Sequence, residues 1–173
     1  MTDKKYSRVY VEITNICNLS CSFCKGTDRE RCFMSEENFT LAATKLRQIT
    51  SYIYFHILGE PTLHPKLERF LEICSELDFK VIITTNGTLL PKVGNTLLDS
   101  PALHKVNISL HAFEANPPGM SFEEYIEGCV TFAARAADAG TIAVLRLWNL
   151  EGRAEGALHE KNEMILTSLR RAF

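Results

Sequence analysis

The sequence predicts an α/β fold on a parallel sheet, and three observations carry that prediction. Five short runs rich in β-branched and aromatic residues alternate with longer stretches whose apolar residues recur at helical spacing. Parallel neighbours cannot be joined by a tight hairpin, so this alternation implies right-handed crossovers through helices. The chain has 173 residues at 46% hydrophobic content, enough for one substantial core, with no linker, low-complexity tract or repeat beyond the alternation itself. Residues 1–173 are therefore read as a single domain.

The first strand is expected at Arg8–Thr14, "RVYVEIT". Ser35 then caps a helix in which Phe39, Ala42, Ala43 and Leu46 repeat at i, i+3, i+4 and i+7, with Met34 and Phe39 suited to a hydrophobic staple. A second strand, Tyr52–Leu58, leads to a helix carrying Leu67, Phe70, Leu71, Cys74 and Leu77 on one face, which gives Cys74 a place in the core. The third strand is Lys80–Thr85. The segment after it, Pro91–Ser100, has only weak helical character because Gly94 interrupts it. After a fourth strand, Lys105–His111, Ser121 and Glu124 form a capping box for a helix that buries Ile126, Cys129, Val130, Ala133 and Ala137 and stops at Gly140. A fifth strand, Ile142–Trp148, with Trp148 read as packing, precedes a last helix over Ala157–Phe173.

Nineteen basic against twenty-one acidic residues leave a formal charge of -2, so no footprint for nucleic acid or an anionic membrane is expected. There is no signal-like apolar stretch at the start and no run of about 18 apolar residues, which reads as a cytoplasmic protein without a membrane span. In that reducing compartment the six cysteines, at 17, 21, 24, 32, 74 and 129, are not read as a disulfide framework, and those in a cluster become metal ligands or catalytic groups.

The cluster is "CNLSCSFC", Cys17, Cys21 and Cys24 in the spacing C-x3-C-x2-C. A structural zinc site needs four protein ligands, whereas a reactive metal site keeps a position open. A zinc site would have to recruit Cys32, His56 or His64, and the spacing lacks the usual paired C-x2-4-C halves. The matching alternative function is a non-catalytic zinc- or iron-sulfur-binding interaction module. His56, within an apolar run, is read as a core residue.

In parallel β/α architectures ligands bind at the strand ends, where loops are free to vary. Those ends bring together the cysteine loop, "GEPTLHP", "NGT", then Ser109 and His111, and finally Arg146 and Asn149. "GEP" in isolation reads as a turn with Glu60 solvated. Its place after the second strand, behind a C-x3-C-x2-C loop with Phe23 before the last cysteine, resembles the radical S-adenosylmethionine superfamily.

That resemblance implies a 4Fe-4S cluster on Cys17, Cys21 and Cys24, with the fourth iron chelated by the amino and carboxylate groups of S-adenosylmethionine. It places Phe23 against the adenine, Gly59 and Glu60 of the Gly59-Glu60-Pro61 motif at the methionine amino group, and Ser109 at the ribose. Arg146, able to grip a carboxylate in two bonds, is the candidate for the methionine carboxylate, and Asn86 and Asn149 are further rim candidates. His111 departs from the pattern, since many family members carry an acid two residues after that serine.

The implied activity is reductive cleavage of S-adenosylmethionine to a 5′-deoxyadenosyl radical that abstracts hydrogen from a substrate. Flavodoxin or ferredoxin would donate the electron, and peptide modification and glycyl-radical enzyme activation are the substrate classes the resemblance offers. It also implies an open partial (β/α) barrel. Since the family core usually has six β/α units and only five are read, the sixth strand is expected to be missing and the chain to be truncated at its C-terminal end.

Overall fold

The structure, a computed structural model, describes residues 5–115, 119–147 and 157–173. Five strands, β1 (Val9–Val11), β2 (Tyr52–Phe55), β3 (Lys80–Thr85), β4 (Leu103–Ser109) and β5 (Ile142–Arg146), form one parallel sheet in the order β1-β2-β3-β4-β5. Helices α1 (Glu36–Leu46), α2 (Leu67–Glu76), α3 (Leu90–Leu98) and α4 (Phe122–Asp138) make the four crossovers, and α5 (Ala157–Ala172) follows β5. Neighbours in space are neighbours in sequence, as the β/α alternation predicts. Among the described residues the sheet is open, with β1 and β5 at its edges.

The helices cover one face of the sheet. Ile53, Phe55, Val81, Ile83, Val106 and Ile108 are fully buried there with Phe39, Phe70 and Leu97. Phe39 stacks flat on Phe70 with centroids 4.1 Å apart, which locks α1 to α2. Cys74 and Cys129 belong to this core, and burial pushes both thiols up to about 12. On the other face, Tyr54 is half-buried and Tyr10 exposed, in register across β1 and β2.

The capping signals are realised as read. The Ser35 hydroxyl accepts from the Asn38 amide at 3.1 Å. Ser121 and Glu124 exchange side-chain to backbone bonds of 3.1 and 2.8 Å. Gly94 does not weaken α3. A Cβ there would lie 3.2 Å from the Phe132 ring, so the glycine lets α4 pack closely against α3.

Strand ends are where the expectation overshoots. β1 stops at Val11, and Thr14 instead makes an antiparallel bridge to Phe33, drawing the segment after the cysteines back under the strand end. β2 stops at Phe55 because the chain turns sharply, with Ile57 at φ 144° and Gly59 at φ 72°. His56 is thus beyond the strand and half-buried rather than a core residue. The fourth strand starts earlier, and its last two expected residues open a 3₁₀ helix, Leu110–Ala115. β5 ends at Arg146; Trp148 and Asn149 lie outside the described residues.

Candidate functional site

At the C-terminal ends of the strands lies a cavity of about 410 Å³, lined by Cys17, Cys21 and Cys24 together with Phe23, Gly59, Glu60, Asn86 and Ser109. Residues expected at one rim from four separate segments therefore share one space. Pro61 is buried at the start of a 3₁₀ helix, Pro61–Leu63, and serves the turn rather than the lining. Arg146 is exposed at the end of β5, in register with Ser109 on β4, and is not among the lining residues. A hollow of about 490 Å³ between α2 and α3 is lined by Glu68, Glu72, Glu76 and Asp99, shares no residue with the first, and contains no thiol.

The Gly-Glu-Pro turn is held against the cysteine loop by backbone contact. The Glu60 amide donates to the Ile16 carbonyl at 2.8 Å. Gly59 is required at that approach: a Cβ would run into the Thr14 carbonyl oxygen and lie 2.9 Å from the Asn15 carbonyl carbon, at a left-handed φ. Gly59→Ala should therefore cost roughly 3 kcal/mol from backbone strain and overpacking, read as a lowered urea midpoint of the apoprotein. An unchanged midpoint would show that the turn moves aside freely.

Glu60 is 2% exposed, and both of its carboxylate oxygens accept hydrogen bonds from the chain. Oε1 accepts from the Thr62 amide (3.1 Å) and from the Thr62 and Thr85 hydroxyls (2.6 and 2.7 Å), while Oε2 accepts from the Asn86 amide at 2.6 Å. Burial pushes its pKa above the usual carboxylate range, and these donors pull against that shift. The network continues from Asn86, whose Nδ2 donates to Asn18 Oδ1 at 2.9 Å and stands 3.9 Å from Cys17 Sγ. Thr88 closes it, donating its hydroxyl to Asn86 Oδ1 at 2.7 Å and accepting from Asn18 at 2.9 Å. The loops after β1, β2 and β3 are thus joined by side chains around Cys17.

Among the thiols, burial raises Cys17, with the Glu60 carboxylate adding to the shift, and raises Cys21 to about 11, helped by Cys17 and Glu114. Such thiols favour the protonated form unless a cation is bound, and three soft donors around one cavity suit iron bound through sulfur. The donor set fits a cluster held at three corners.

Of the three outside ligands that the zinc alternative would recruit, the structure leaves only His56 on the cavity. Both ring nitrogens of His64 are occupied, Nδ1 by the Lys66 amide at 3.1 Å and Nε2 by the Met34 carbonyl at 3.1 Å, beneath Phe33 and Phe70. Cys32 is exposed and does not line the cavity; its backbone is used instead, by Asn15 and Thr14. His56 does line the cavity, with its imidazole pushed toward the neutral form by burial and the Arg146 charge. No group of three or more His, Cys, Asp or Glu side chains among the described residues converges enough to hold a single metal ion.

Sequence reasoning missed Asn18, Thr85, Thr88, Glu114 and Tyr125. Asn18 and Thr88 lie inside stretches already singled out, the cysteine loop and "NGT", and Thr85 ends the strand before the latter. Tyr125 is buried in α4, and its hydroxyl lies 2.7 Å from the Asn86 carbonyl and 3.2 Å from that of Ser109, pinning two strand ends. Nothing local marks it, since its helical position reads as core.

A family model described as the Radical SAM superfamily matches residues 11–155. Among curated proteins, the chain is 30% identical over 142 residues to "Probable GTP 3',8-cyclase" of Saccharolobus solfataricus, covering 78% of this chain and 44% of that one. It is also 30% identical over 117 residues to the S-adenosyl-L-methionine-dependent 2-deoxy-scyllo-inosamine dehydrogenase of Niallia circulans, covering 64% of this chain and 47% of that one. The chain thus spans less than half the length of these relatives. Among solved structures, Streptococcus suis SuiB bound to S-adenosylmethionine superposes with a TM-score of 0.67 over 97% of this chain and 39% of that one, at 19% identity, a likeness of fold.

Proposed function

The chain belongs to the radical SAM superfamily, whose enzymes use a 4Fe-4S cluster and S-adenosylmethionine, and from that premise we propose that Cys17, Cys21 and Cys24 hold the cluster of a radical-forming enzyme core. The observation that carries this is the convergence of those three thiols and the Gly-Glu-Pro turn on one cavity at the ends of parallel strands. Held by Cys17, Cys21 and Cys24, the cluster would supply the electron for reductive cleavage of S-adenosylmethionine and so the radical chemistry of the site.

The chain's own part is to bind, orient and exclude. Cys17, Cys21 and Cys24 would hold the cluster with a position left for the cosubstrate. Gly59 and Glu60 receive the methionine amino group, Ser109 the ribose and Phe23 the adenine, and Arg146, which stands outside the lining but whose charge reaches His56 within it, takes the carboxylate. Asn86 orders the rim through Asn18 and Thr88. A one-electron donor of the flavodoxin or ferredoxin kind supplies the electron. No helix among the described residues is long and apolar enough to cross a membrane.

Anaerobic reconstitution with iron and sulfide tests the reading. The expected product is a brown protein whose reduced spin-resonance signal changes on adding S-adenosylmethionine and which, with dithionite, yields 5′-deoxyadenosine and methionine. A colourless protein that takes up zinc and no sulfide would replace it with the interaction-module reading.

A further inference from the structure

The mechanism above leaves the 3₁₀ helix Leu110–Ala115 without a task, although it runs on directly from β4 and Ser109. This helix lies along the turn that carries the second and third cysteines. The His111 ring packs on Phe23 with centroids 4.9 Å apart. The Ala112 carbonyl faces Cys21 Sγ at 3.8 Å. Glu114 Oε1 accepts from both the amide and the hydroxyl of Ser22, each at 2.7 Å and across 92 residues of sequence. The remaining hydrogen bonds of residues 19–26 are local: Leu19 to Cys17, Cys24 to Cys21 and Gly26 to Cys24. Among the described residues, those that reach distant parts of the chain go to Ala112 and Glu114.

We propose that Glu114 is a positioning residue that latches the Cys21–Cys24 turn to the 3₁₀ helix and so holds two of the three cluster thiols in place. A carboxylate suits the task, because one oxygen accepts two donors of the same serine in charge-assisted bonds. The helix runs on directly from Ser109, so the Cys21–Cys24 turn and the Ser109 side of the cavity are tied to one continuous stretch of chain. The proposal rests on the cluster reading for its consequence, and the latch can also be read without a cluster.

Glu114→Gln keeps an acceptor oxygen where Glu114→Ala keeps none, and Ser22→Ala removes the hydroxyl bond while sparing the amide. In the apoprotein, trypsin cleavage at the exposed Lys25, directly after the latched turn, should speed up about tenfold in Glu114→Ala, as expected for losing a charge-assisted bond. In the reconstituted protein, iron release to a chelator should accelerate by a similar factor. Glu114→Gln should restore both toward wild type, and Ser22→Ala should fall between. Should Glu114→Ala fail to fold, Ser22→Ala carries the test by the same two readouts. Wild-type rates in Glu114→Ala, or a Glu114→Gln protein as labile as the alanine variant, would overturn the latch. If the wild-type protein takes up no cluster, the functional reading falls, while the apoprotein cleavage still decides the latch.

Discussion

Replacing any one of Cys17, Cys21 or Cys24 by alanine should reduce iron and sulfide after reconstitution to background, whereas Cys32→Ala should leave them at wild-type levels. The three thiols line one cavity, so each loss strips a corner from the same cluster. Of the other candidate ligands, His64 spends both ring nitrogens on the backbone and Cys32 is outside the cavity, while His56 on the lining offers one imidazole nitrogen, a harder donor than the thiolate it would replace. The fold should survive each change, since Cys17 and Cys21 are only part-buried and Cys24 is exposed. Iron and sulfide assays with a circular dichroism control check this. If Cys32→Ala loses as much iron as the other three, the site is four-coordinate and the open position for a cosubstrate is gone.

The fold was legible because its main signals are local. β-branched runs such as "KVIITT", helical stripes such as Leu67, Phe70, Leu71 and Cys74, and two serine caps each report their element without knowledge of the rest. What misled were the ends. Hydropathy continues through "HIL" after β2, but the backbone must turn there to bring Gly59 against Thr14 and Asn15, and a turn made by a tertiary approach leaves no trace in hydropathy. Gly94 misled in the other direction. Propensity counts against a mid-helix glycine, while the packing of Phe132 on α3 favours it.

At the site, the three cysteines could be found because their spacing is short and their residue type is rare, and the Gly-Glu-Pro turn because it follows the second strand behind them. Partnerships across the sequence could not. Ser22 meets Glu114 across 92 residues and Asn18 meets Thr88 across 70, distances over which no periodicity operates. Glu60 shows the same limit more sharply. Its identity marks it as functional, yet only the structure shows that its oxygens are already bonded to the chain.

Those bonds make Glu60→Ala the most damaging substitution expected outside the cysteines. Removing the carboxylate leaves the Thr62 amide, the Asn86 amide and the Thr85 hydroxyl facing a void where Glu60 was 2% exposed. At about 1–3 kcal/mol for each buried donor left without a partner, the loss should reach roughly 4 kcal/mol, a large part of the ~5–15 kcal/mol that holds a domain. Urea denaturation of the apoprotein reads it directly. Glu60→Gln should cost less, because one oxygen remains to accept while the amide NH₂ is set against a donor. The same variant should weaken S-adenosylmethionine about ten- to a hundredfold with iron content unchanged, through loss of the charge that faces the ammonium. The two readouts separate the roles. A Glu60→Ala apoprotein as stable as wild type would mean that the network around Asn86 stands without its carboxylate, and an unchanged spin-resonance titration in Glu60→Gln would confine Glu60 to holding the loops together.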